Sequence, residues 1–269
     1  MSQKEFFATL EPILFSKDFT HKATLLNDIY QSLQSGDCIF DHMHINTKDF
    51  FTFTPSVALH PTRIHRPKHA KSGIALAKIL HSIAHIEYCA ITLALDSAYR
   101  FKHLPLRYYI DWIEVAKEEI EHFLLLESLL NEIGFKYGDF AVHLGLYDAM
   151  KRTHSSLKYR MGVVHRGLEA RGLDANPFVL QKLSLTPHPL TSKINEVFGI
   201  ILRDEITHVS KGDHWWRFAK EANDDFLDLC KQFQDFSLAG KTLNSNARLQ
   251  CGFDASEIKR IDNFYNARI

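Results

Sequence analysis

The sequence has no run of about 18 consecutive apolar residues, which argues against a membrane span. It has only four cysteines, Cys38, Cys89, Cys230 and Cys251, scattered without C-x-x-C spacing. A disulfide framework is therefore not expected, and reduced thiols in a cytoplasmic protein are. There is no excess of either charge. Thirty-two basic residues balance 32 acidic ones, so no global field draws the chain to nucleic acid or an anionic membrane. Neither G-x-G-x-x-G nor G-x-x-x-x-G-K-[S/T] occurs, no flavin or nicotinamide motif is evident, and a Ser-His-Asp reading finds no support. The opening residues, MSQKEFFATLEP, lack a long apolar core and a small-residue cleavage site, so no secretory signal is expected. What remains is an ordinary globular composition: 45% hydrophobic and 24% charged over 269 residues, enough for a substantial core. The 16 histidines are the one unusual abundance.

Hydrophobic periodicity reads as helix almost throughout, and the fold class expected is all-α. Two short amphipathic patterns lie around Phe6–Leu14 and Ala23–Leu33, followed by strand-like or irregular character from Cys38 to Leu59. The stretch HPTRIHRPKHAK, residues 60–71, has two prolines among seven basic or imidazole-bearing residues and reads as an extended connector. A phosphate-bearing substrate could touch such a stretch, although a solvated linker is the plainer reading. Four long helices are then expected, at about 72–101, 104–133, 156–171 and 192–222. Ile74, Leu76, Leu80, Ile83, Ala84, Glu87, Ile91, Leu95 and Ala98 mark a buried stripe on the first. Pro105 suits the start of the second, and Gly134 a left-handed stop after it. Gly172 is expected to end the third, with Pro177 starting a continuation to about 183 and Pro187 and Pro189 closing it. A shorter helix at about 142–154 supplies the long crossover of a four-helix bundle. Further helical patterns occupy 225–236 and 255–265. A single domain is expected: a core bundle over about 72–222, an N-terminal extension 1–71 and C-terminal helices 223–269.

The chemistry lies in a repeat. Glu119 with His122 and Glu205 with His208 are each Glu-x-x-His, and a further helical glutamate precedes each pair, Glu87 and Glu169. Residues three apart on an α-helix lie about 60° apart around its axis, so one such pair can aim a carboxylate and an imidazole the same way. Two pairs and two added glutamates give six side chains, a ligand set for two metal ions in a helical bundle. Four carboxylates would offset the four charges of two divalent ions. Without metal, four glutamates gathered in an apolar interior would be costly. Asp204 and Glu118 each precede a ligand by one position. Asp204 is expected to orient His122, and Glu118 to orient His208, by accepting the second imidazole N–H.

Each assignment has a plainer competitor. Lys117–His122 reads KEEIEH and could be a solvated face, except that Ile113, Ala116, Ile120, Phe123 and Leu126 surround it at helical spacing. Arg166 and Glu169 could form a surface ion pair. His81 and His85 are assigned to packing or to supporting hydrogen bonds, because Glu87 lies about 200° round the helix from His85. Tyr88 is a candidate redox tyrosine, with aromatic packing the plainer role. His214, Trp215 and Trp216 are expected to pack the end of the fourth helix.

AHIEYCAI (84–91), EExxH (118–122), LEARGLDANP (168–177) and RDEITHV (203–209) resemble landmarks of the ferritin-like superfamily, and more narrowly of the bacterial DUF455 family. The resemblance covers about residues 61–219. It implies a ferritin-like four-helix bundle with a dinuclear metal site, and it favours Glu169 as a ligand. More distantly the chain is similar to MiaE-type di-iron tRNA hydroxylases, a likeness of fold and site that does not fix a substrate. Carboxylate and imidazole donors suit iron or manganese. The activity expected is that of an O2-activating di-iron oxidoreductase, such as a hydroxylase, served by a separate electron-donor reductase. The alternative is iron handling or peroxide scavenging without an organic substrate.

Overall fold

The computed structural model describes residues 4–41, 45–65, 67–185 and 188–267. The expected stop at Pro187 and the connector residue Arg66 lie outside the described residues. Helices dominate: α1 (Phe6–Phe15), α2 (Phe19–Gln34), α3 (Gly73–Arg100), α4 (Leu106–Glu132), α5 (Gly145–Arg152), α6 (Leu157–Tyr159), α7 (Glu169–Ser184), α8 (Thr191–Ala219), α9 (Phe226–Gln232), α10 (Ser245–Gln250) and α11 (Ala255–Asn266). Two-residue strands β1 (Lys4–Glu5) and β2 (Cys38–Ile39) pair in parallel. The chain divides into two compact units, Met1–Ile64 with Leu80–Tyr147, and His65–Ile79 with Asp148–Ile269.

In the first unit α1 and α2 are short amphipathic helices. Glu5 caps α1 by accepting from the Phe7 and Ala8 amides, and Phe6, Phe7, Leu10, Ile13 and Leu14 form its buried face. Asp18 caps α2, whose Lys22 turns inward and donates to the Leu14 carbonyl left over at the end of α1. Tyr99 of α3 ties this layer down, donating to Glu11 and accepting from the Asn46 amide. From Glu87 to Arg100 every residue of α3 is buried, as befits a helix apolar on all sides. The expected stripe holds there, but Ile74 is exposed and Ile83 half-buried. By length and mean hydropathy α3 could cross a membrane; 67% of its most apolar window is buried within the fold instead. Pro105 precedes the first turn of α4. Gly134, at φ 80°, ends that helix while the Phe135 amide bonds back to the Leu130 carbonyl, which is the expected left-handed stop.

The second unit departs further from expectation. Ser156 caps α6, and the helix does not stop at Gly172. It runs on through a nine-residue π-helical stretch, Arg160–Leu168, into α7. A helix-interior glycine costs about 1 kcal/mol, an amount tertiary contacts readily override. Here Leu173, Asp174 and Asn176, just past Gly172, are buried, and Asp174 pairs with the fully buried Arg248. Pro177 therefore falls inside α7 instead of starting a separate helix. Its ring leaves the Leu173 carbonyl without the usual donor, and the Asn244 side chain supplies one at 3.3 Å. The helix α10 that carries the Arg248 partner had no counterpart in the sequence reading. α8 forms close to its expected limits, with Trp215 and Trp216 buried and His214 exposed.

Candidate metal centre

The first unit brings Glu87 of α3 together with Glu119 and His122 of α4. Each offers a ligand atom within 4.8 Å of the others. His122 Nδ1 stands 3.5 Å from Glu119 Oε2 and 3.6 Å from Glu87 Oε2. These separations are long for hydrogen bonds. They are near the roughly 3.4 Å expected between two donors sharing one ion at about 2.1 Å. All three residues are buried, Glu119 and His122 completely. The local reason is helical phase. Glu119 and His122 lie on the face of α4 that also buries Ile113, Ala116, Ile120, Phe123 and Leu126, so the KEEIEH run is not a solvated face. Burial pulls the His122 pKa down, but the Glu119 and Glu87 carboxylates outweigh it and hold the imidazole's pKa up at about 11. Where no metal is bound, the two carboxylates thus favour the protonated imidazole. Buried hard oxygens and one imidazole nitrogen are a donor set that fits iron or manganese.

The second unit places Glu205 and His208 on α8 with His208 Nδ1 3.4 Å from Glu205 Oε1, His208 buried and Glu205 half-buried. Glu169 begins α7 and is half-buried. Its partner is not Arg166. His165, four residues back in the π-helical stretch, stands with Nδ1 2.9 Å from Glu169 Oε1. Arg166 turns the other way. It donates to Asp213 at 2.6 Å and to both oxygens of Glu257 at 3.0 and 2.7 Å, and its guanidinium stacks on Phe253, Phe226 and Trp216. The sequence reading missed His165. The signal was available in the His-x-x-x-Glu spacing of a segment flanked by Val163 and Val164.

His81 and His85 are held by hydrogen bonds and ring contacts of their own. His85 donates through Nε2 to the His143 carbonyl at 2.9 Å, so its Nδ1 accepts from the Tyr137 hydroxyl at 2.8 Å. His81 stacks on Tyr137 and accepts the Gly138 amide at Nε2. Burial lowers the pKa of both imidazoles to about 4, so both are neutral near pH 7. This matches the packing and hydrogen-bonding role expected of them. Tyr88 packs between Phe123 and Tyr137, and burial raises its pKa to about 12. Asp204 takes two hydrogen bonds from Arg203, at 2.8 and 3.0 Å, and Glu118 is half-buried on α4.

Fold and site together define a largely helical protein with a buried glutamate–histidine cluster that could bind a metal ion. Residues 15–259 match the family model described as "Protein of unknown function (DUF455)", and the chain belongs to that family. A protein of Haemophilus influenzae (strain ATCC 51907 / DSM 11121 / KW20 / Rd), described as an uncharacterized protein, is 34% identical over 275 residues. That alignment covers 94% of this chain and 92% of the relative. No solved structure matches the chain.

Proposed function

We propose that the protein is a ferritin-like dinuclear metal protein, with iron the favoured metal and manganese the alternative, acting as an O2-dependent oxidoreductase such as a hydroxylase. Glu87, Glu119, His122, Glu169, Glu205 and His208 are the proposed metal ligands. The observation that carries the reading is the Glu87–Glu119–His122 cluster: two carboxylates and an imidazole, buried together at ligand spacing. A polar cluster of this kind, in an interior otherwise lined by leucine, alanine and aromatic residues, is costly to bury unless it binds something. The metal would supply the redox chemistry toward O2. The chain's own part is to fix the donors on rigid helices and to exclude water, which the all-round burial of α3 beyond Glu87 achieves on that side. His122 would give up the proton it holds when metal enters. A separate electron donor belongs to this reading, since the chain carries no flavin or nicotinamide motif.

The test is anaerobic loading with Fe(II) or Mn(II), elemental analysis, and then O2 exposure followed by stopped-flow absorption and O2 uptake. Two ions per chain with magnetic coupling between them, and O2 consumed in step with Fe(II) oxidation, is the expected result. Accumulation of a ferric mineral would favour iron handling instead. Fewer than about 0.2 ions per chain after loading would end the metal reading.

A further inference from the structure

Resting on the metal reading above, we propose that His165 is the positioning residue for Glu169: its Nδ1–H fixes one carboxylate oxygen, so that Glu169 binds metal through the other. Distance, burial and backbone packing carry this. The Nδ1–Oε1 distance is 2.9 Å, and an ionised carboxylate can only accept, so the imidazole proton is on Nδ1. His165 is fully buried while the Glu169 side chain keeps 13% of its exposure, so the imidazole is the fixed member and the carboxylate the one to be held.

The backbone explains why these two meet. The Glu169 amide bonds to the Val164 carbonyl, five residues back, closing a widened turn that contains His165. π-Helical geometry is uncommon and needs a reason to persist. Here the reason is the packing around it. A Cβ on Gly212 of α8 would lie 2.6 Å from the His165 carbonyl carbon and oxygen, so α8 approaches the His165 peptide as closely as only glycine allows. Gly162 likewise lies under Leu229 and Trp216, where a Cβ would meet their side chains at 2.4 and 2.7 Å. On the next residue, Arg166 is locked by Asp213 and Glu257. The turn bearing His165 is thus held from three directions, none of which uses Glu169. An imidazole fixed to this degree can set the orientation of a partly buried carboxylate, the arrangement by which outer partners tune a metal ligand.

The experiment compares the parent with His165→Leu, which removes the donor, and His165→Asn, whose Nδ2 stands where Nδ1 stands. Mn(II) binding is titrated against a competing chelator, and the imidazole tautomer is read by 15N NMR in the metal-free protein. Expected are two ions for parent and Asn variant, one of those ions weakened roughly 10–100-fold in the Leu variant, and the His165 proton on Nδ1. Three results would overturn the role: a Leu variant equal to parent at both ions, an Asn variant weakened as much as Leu, or the proton on Nε2 alone. Should the Leu variant fail to fold, the Asn variant and the tautomer decide by themselves. A parent that takes up no ion overturns the metal reading itself and this role with it, which is a distinct outcome from a normally loaded parent with an indifferent Leu variant.

Discussion

Replacing Glu119 with glutamine tests whether the buried cluster exists for metal or for stability. Glu119 is completely buried, 3.5 Å from His122 Nδ1, with Glu87 beside it. With both carboxylates ionised and His122 protonated the three groups carry −1 −1 +1, a net charge of −1 in an apolar interior. Glu119→Gln brings the sum to zero while keeping the side-chain shape. In chelator, the variant should therefore melt no lower than the parent, because a like-charge carboxylate pair has been relieved. Metal should reverse the order. An ion at 100 times its Kd stabilises the folded chain by about 2.7 kcal/mol. For a chain of this size that corresponds to about 5–10 °C in Tm. The parent should gain this shift with Mn(II), and Glu119→Gln should gain little of it. The assay is paired circular-dichroism melts with chelator and with Mn(II). A variant that loses several degrees in chelator would show that Glu119 serves as the structural partner of His122. A variant that keeps the full metal shift would remove Glu119 from the ligand set.

Four further outcomes follow from the packing. Lys22 is buried, and desolvation lowers its pKa to about 7 from an ordinary value of 10.5. Between those values the folded state binds fewer protons than the unfolded, so stability rises with pH across that window and carries the full penalty below pH 7. Lys22→Met should flatten that rise and gain stability on the order of a few kcal/mol at pH 6, read from urea midpoints at pH 6, 8 and 10. Gly212→Ala should cost about 3 kcal/mol in urea unfolding, because the clash is with backbone that cannot yield. Gly199→Ala, on the same helix with nothing within 4 Å of its new methyl, should be neutral or gain about 0.5–1 kcal/mol. Arg166→Met should destabilise by about 3–5 kcal/mol by stranding the buried Glu257 carboxylate, while Asp213 keeps Arg217, and adding Glu257→Gln should restore part of the loss in the same unfolding assay.

Much of this protein was legible from local pattern. The cores of α3, α4 and α8, the stop at Gly134 and the Glu-x-x-His faces follow from a period of 3.6 residues, a glycine's freedom at positive φ, and i,i+3 spacing, all of which act within one helix. Glu87 could be placed inside because the residues around it are apolar on every side. What sequence could not supply were partners far along the chain. A surface pair between Arg166 and Glu169 is open on sequence alone, but Asp213 and Glu257, 47 and 91 residues away, claim the arginine. Gly172 is a local stop signal and Pro177 a local start signal, both overridden because Asp174 is held by Arg248, 74 residues on, and because Asn244 serves the carbonyl that Pro177 leaves open. The π-helical turn that joins His165 to Glu169 depends on α8 fitting Gly212 against it. Sequence determined which residues could form helices and which faces would carry donors, since those depend on neighbours a turn away. Tertiary structure alone decided that the third helix runs on past Gly172 and which charges met, because those terms come from contacts whose free energies exceed the roughly 1 kcal/mol preferences written into any single residue.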